Sequence, residues 1–120
     1  MTEAELREAV WADPDSDAPR MVYADYLQQQ GDPLGELIAL QLDRARTGAR
    51  PSERESEIFQ ALPRHRAAEP LGPFLGLSSL ARGFLATAMP LPRLTAEAAV
   101  HPAWSTVHRL ELDGNTDPQL

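Results

Sequence analysis

The sequence predicts an α+β protein: an N-terminal bundle of three to four helices capping one or two solenoid-like coils with short strands. Three observations lead there. Residues 1–60 carry apolar positions at helical spacing, punctuated by capping residues. The second half holds six of the 11 prolines between Pro63 and Pro102, and two short strand-like runs. Charge divides along the same line: 13 acids against 6 Arg in residues 1–60, and 5 against 5 afterwards. The alternative architecture is an all-α bundle with a separate C-terminal strand pair. With 120 residues there is room for one modest core. A helical module over 1–50, a variable helix and Pro/Gly-rich connector over 51–82 and a strand segment over 83–120 are therefore expected to form one compact unit.

The first helix is expected over Glu3–Ala12. Thr2 and Glu5 make a capping box, Leu6, Ala9 and Val10 share a face, and Asp13-Pro14 ends it. The second starts near Ala18 or Pro19 with Asp17 as cap. Its stripe is Pro19, Val22, Tyr23, Tyr26 and Leu27, and Gly31 is its C-terminal stop. The third follows at once, capped by Asp32 with Pro33 in its first turn. Its stripe is Leu34, Leu37, Ile38, Gln41, Leu42 and Ala45, and Gly48 closes it. The Gly31-Asp32-Pro33 link is short enough for a tight αα-corner, with Gly35 allowing close helix approach. Ser52 with Glu55 makes a second capping box and opens a fourth helix that Pro63 limits or kinks.

Two strands are expected in the second half, Phe84–Met89 after a flexible Arg82-Gly83 and Val107–Leu112. The latter lies within Val107-x-x-Leu110-x-Leu112-x-x-Asn115, the spacing of a leucine-rich repeat. In such a coil the apolar residues point to the inner core and Asn115 bonds backbone groups where the chain leaves the strand. Shifted back 23 residues, the same positions are Phe84, Thr87 and Met89, with Leu94–Val100 as the short convex-side helix. A solenoid generally needs about three coils. With at most two here, the open end calls for cover by another molecule, or the chain is a fragment or short paralogue.

The segment Asp15-x-Asp17-Ala18-Pro19-Arg20-Met21-Val22-Tyr23-Ala24-Asp25-Tyr26-Leu27, with Gly31-Asp32-Pro33-x-Gly35-Glu36-Leu37-Ile38-x-Leu40-Gln41, resembles the bacterial repeat-companion domain. That family is a small helical module often found N-terminal to leucine-rich repeats. Met21, Tyr26 and Leu37 replace the family's Leu, Trp and Phe, and Gln28 and Gln29 replace an acidic pair. The resemblance covers roughly residues 1–48. Gly83-Phe84-Leu85-x-x-Ala88-Met89 and the stretch from His101 to Asn115 are similar to the family's continuation. The resemblance implies architecture and an interaction role, with no catalytic activity to carry over.

Composition excludes several function classes. A net charge of −7 opposes nucleic-acid or anionic-membrane binding. All basic residues are Arg, which removes lysine Schiff-base and Walker-type chemistry, and absent cysteine removes disulfides, thiol nucleophiles and thiolate metal sites. No apolar stretch approaches a membrane span, and the acidic N-terminus is no secretory signal; a cytoplasmic location is expected.

Tyr23, Asp25 and Tyr26 suggest acid–base work, but both tyrosines lie on the apolar stripe and read as packing. Asp25 is expected to pair with Arg20 or to accept backbone N–H groups of the next helix. Gln41 is a mid-stripe amide that either bonds an inter-helix carbonyl or marks where the stripe meets solvent or a partner. His65, His101 and His108 lack ligand spacing, so no metal or cofactor is expected. Arg64-His65-Arg66 reads as a solvated helix end, Trp104 as core, and the run Leu71, Phe74, Leu75, Leu77 and Leu80 as a surface needing cover.

The leading expectation is a non-catalytic protein-interaction module with His108, Arg109 and Glu111 on its strand face and another protein as partner. The alternatives are a structural subunit self-associating through the C-terminal solenoid end, and an enzyme or ligand-binding protein using Tyr23, Asp25 or His108.

Overall fold

In the computed structural model, which describes residues 1–63 and 66–110, local capping chemistry sets the helix boundaries. Helix α1 spans Glu3–Ala12. Thr2 accepts from the Glu5 amide at 3.2 Å while Glu5 accepts from the Thr2 amide at 3.4 Å, so the box is reciprocal. Helix α2 spans Ala18–Gln29. Asp17 stands at its N-cap without capping it; the Ser16 hydroxyl accepts from the Ala18 amide at 3.3 Å. The end of α2 is a Schellman turn: Gly31 (φ +74°) donates to Gln28 and Asp32 to Leu27. Asp32 then accepts from the Leu34 amide at 2.9 Å and opens α3, Pro33–Thr47.

Helices α2 and α3 touch through Gly35, where a Cβ would stand 2.7 Å from the Ala24 carbonyl oxygen. Helix α4 spans Glu53–Ala61. Ser52 accepts from the Glu55 amide at 3.1 Å, but the Glu55 carboxylate turns inward to Gln41 and Arg44 instead of completing the box.

The face of α2 differs from the expected stripe. Tyr23 and Leu27 are buried as expected, but Arg20 and Ala24 join them while Val22 is 52% exposed. The helix is rotated because the Arg20 guanidinium has three inward carbonyl acceptors that no apolar side chain can satisfy.

A strand β1, Leu75–Ala81, was not expected; Gly76, Ser78 and Ser79 dilute its strand signal. It pairs antiparallel with β2, Phe84–Pro90, across a turn that is tight rather than flexible. Arg82 (φ 49°) and Gly83 (φ 81°) are both left-handed, the pattern of a two-residue hairpin loop. Strand β3, Arg109–Leu110, pairs parallel with β2, giving the sheet order β1-β2-β3. Between β2 and β3 run α5, Ala96–Ala99, and a 3-10 turn, Pro102–Thr106. Residues Arg64, His65, Glu111, Leu112 and Asn115 lie outside the described residues.

The core has two parts. The first is the helical bundle with Leu6, Val10, Tyr23, Leu27, Leu34, Leu37, Ile38, Leu42 and Ile58, into which Phe84 of β2 inserts. The second lies under the sheet, with Leu71, Leu75, Leu85, Ala88, Ala98 and Ala103. Trp11 packs on both, and Trp104 packs on the second while its indole donates to the Ala98 carbonyl at 2.8 Å. Of the apolar run, Leu71, Phe74 and Leu75 are covered by the second part and Leu80 by the bundle, while the Leu77 side chain lies outside what is described. Among the described residues the architecture is a mixed α+β unit of helices and an open sheet.

Candidate functional site

Two polar assemblies organise the bundle, the first fastening it to the hairpin of the sheet and the second joining helix starts to the segment after α4. In the first, Arg20 donates to the carbonyls of Ala81 and Arg82 at 3.1 Å each and of Pro14 at 2.7 Å, with its guanidinium 5.2 Å from the Phe84 ring. Burial, with Arg82 nearby, holds its pKa down to about 10. Arg82 reaches back to Asp17 at 2.5 Å and to the Asp15 carbonyl at 3.1 Å. Asp17 therefore serves as a counter-ion to the turn and not as a helix cap. Buried Gln41 accepts from the Gly83 amide at 2.7 Å and donates to Glu55 at 3.2 Å, and Glu55 holds Arg44 through two bonds of 2.8 and 2.9 Å. The acceptor side of the mid-stripe amide is spent on the hairpin turn.

In the second assembly, Arg66 donates to Glu3 and to Asp32, both at 2.9 Å, and Tyr23 donates its hydroxyl proton to Glu3 at 2.9 Å. Arg66 is thus a clamp between the starts of α1 and α3, not part of a solvated helix end. Burial works against its cation, but Asp32 and Glu3 outweigh that and raise its pKa. Burial opposes ionised Glu3, yet the bonds from Tyr23 and Arg66 leave its carboxyl below the usual range. The Tyr23 hydroxyl is pushed upward by burial and by Glu3, so it stays a phenol.

The remaining helical residues take structural places. Tyr26 is half-buried against the bundle, and Pro19 and Pro33 sit in first helical turns. Asp25 is exposed and does not meet Arg20, whose donors are turned to backbone carbonyls. It lines a cavity of about 150 Å³ between α2 and α3, whereas Tyr23 lines a different, enclosed space beside Arg7 and Arg66. His101 accepts from the Ala103 amide at 3.0 Å and meets Trp11 edge-on. Among the described residues no three His, Asp or Glu side chains are grouped to hold a metal ion, and no helix is long and apolar enough to cross a membrane.

On the sheet, the pairing brings Ser79, Thr87 and Arg109 into one row across β1, β2 and β3. Residues paired across a sheet share a face. The Ser79 and Thr87 hydroxyls are 2.6 Å apart, and Arg109 at the end of the row is exposed. The sequence pointed to Arg109 but not to the two hydroxyls, because their place depends on the register of a strand that was not expected. His108 is exposed, as expected, and its amide donates to the Ala86 carbonyl at 3.0 Å.

The pairing offset between β2 and β3 is 22 residues, with Thr87 beside Arg109 and Ala88 beside Leu110, one fewer than the sequence shift suggested. Leu110 shares a face with buried Ala88 but is 56% exposed, against the expectation of an inward residue. The apolar cluster under Ala88 is not extended beneath it by any described element. Chemically, the row offers hydroxyls and one guanidinium, donors suited to carbonyl and carboxylate oxygens. Compared with known proteins, the chain matches no family model, no curated protein and no solved structure.

Proposed function

We propose that the chain is a non-catalytic protein-interaction module, a bacterial repeat-companion-like helical cap fused to the start of a leucine-rich-repeat-like coil, working in the cytoplasm. The observation carrying this reading is the parallel pairing of β2 with β3 at a 22-residue offset, with α5 and a 3-10 turn on the return path. Strand, short helix and parallel strand within 20–29 residues is the unit from which such repeats are built. The partner is another protein, met by the row Ser79, Thr87 and Arg109; exposed His108, beside Arg109 in the chain and so on the other face, and Glu111, outside the described residues, are further candidate contacts. No nucleic acid, membrane, metal or cofactor is invoked. A non-catalytic role agrees with Tyr23 being bonded to Glu3 while Asp25 lines a separate cavity.

The test is affinity capture from native lysate at endogenous level, with Arg109→Glu beside the unaltered chain. A partner retained by the unaltered chain and lost by the variant supports the reading; capture of the protein alone counts against a hetero-partner. Exposed Leu110 at the edge of the described sheet favours a second reading, self-association through the open end of the coil. A stable monomer at high micromolar concentration in sedimentation velocity would sink it.

A further inference from the structure

Helix α2 leaves two large apolar side chains, Met21 and Val22, half in solvent, and Met21 lines a cavity while Val22 does not. The α2–α3 cavity is lined by Met21, Ala39 and buried Ala24 and Leu42, with Asp17, Asp25 and Arg46 as its charged residues. Its roughly 150 Å³ is below the 300 Å³ or more of small-molecule and cofactor sites, but fits one inserted side chain.

The lining charges fix the sign of what surrounds that side chain. Arg46 is paired with Asp43 at 3.3 Å and Asp17 with Arg82 at 2.5 Å, which leaves Asp25 as the lining charge with no ion pair among the described residues. Asp25 is exposed, in a half of the chain that carries 13 acids against 6 Arg. We propose that the α2–α3 groove is a second docking surface, taking a protein segment with one large aliphatic anchor flanked by basic residues. Met21 supplies an adaptable wall for the anchor, and Asp25 meets the flanking cation. This surface is distinct from the sheet row and does not depend on it.

Peptide-display selection of random dodecapeptides on the full chain tests the proposal. Recovered peptides are expected to share one Leu, Ile or Met beside Arg or Lys. Met21→Glu is expected to weaken the synthetic peptides about tenfold or more, and Asp25→Arg to shift a fresh selection toward acidic flanks. Both positions are exposed, and circular dichroism checks that the variants fold. Arg109→Glu is expected to leave these peptides bound. No enrichment, acidic flanks on the unaltered chain, or binding indifferent to Met21→Glu each overturns the groove. Peptides lost only in Arg109→Glu overturn it while leaving the sheet-row reading standing.

Discussion

The helical half and the sheet half bury different material. Among the described residues, alanine is one of eleven members of the bundle core but four of seven under the sheet. A buried Leu or Ile contributes about 1.5–3 kcal/mol relative to exposure, and alanine much less. The bundle also carries the buried amide and carboxylate, Gln41 and Glu55. The sheet half makes up for its thin core by borrowing: Phe84 sits in the bundle, and Gln41 and Arg20 hold its turn. A small sheet that cannot bury enough of its own surface is stabilised by a neighbour that can.

Neighbouring substitutions on opposite faces of β2 sharpen this contrast most. Phe84→Ala empties a place in the bundle and is expected to cost about 4 kcal/mol, against about 2–3 kcal/mol for Leu85→Ala under the sheet. Chemical denaturation measures both, and equal losses would break the comparison. Gly35→Val forces a side chain onto the backbone of α2 and is expected to cost about 3 kcal/mol, read as a lower melting temperature with the sheet lost in the same transition. Gln41→Leu leaves the Gly83 amide unpaired and is expected to cost about 2 kcal/mol. Amide exchange should then quicken at the hairpin before it quickens in α3.

The smallest effect concerns acid. Ionised Glu3 is favoured in the fold, so its contribution is complete above its usual 4.5 and fades as pH falls through the lower folded value. Glu3→Gln is expected to cost under about 1 kcal/mol at neutral pH. The gap from the unaltered chain should close in urea titrations run progressively below pH 4.5; a gap that persists at low pH would assign Glu3 a non-ionic role.

Helix ends were legible because a cap is a local bargain: Thr2 with Glu5, Gly31 with Asp32, and Ser52 all act within a few residues. The inward face of α2 was not, since periodicity counts apolar side chains and takes no account of carbonyls that arrive from Ala81 and Arg82, some sixty residues away. Strand β1 was missed for the same reason; its partner supplies what Gly76, Ser78 and Ser79 lack in propensity. Of the sheet row, Arg109 was found through repeat spacing, but a one-residue difference in register exchanges the face on which each side chain stands. Ser79 and Thr87 became visible as its neighbours only once the pairing was known.

The left-handed turn at Arg82 and Gly83 bears on the order of events during synthesis. A Cβ at Gly83 would run into Ile38, and the amide there is satisfied by Gln41, so α3 is the mould in which this hairpin is cast. The mould lies upstream. Helices α1 to α3 precede Arg82 in the chain, so the residues that shape the turn leave the ribosome before it does. The seat is completed only when Phe84 enters the bundle, so closing the hairpin and closing the bundle core are one event.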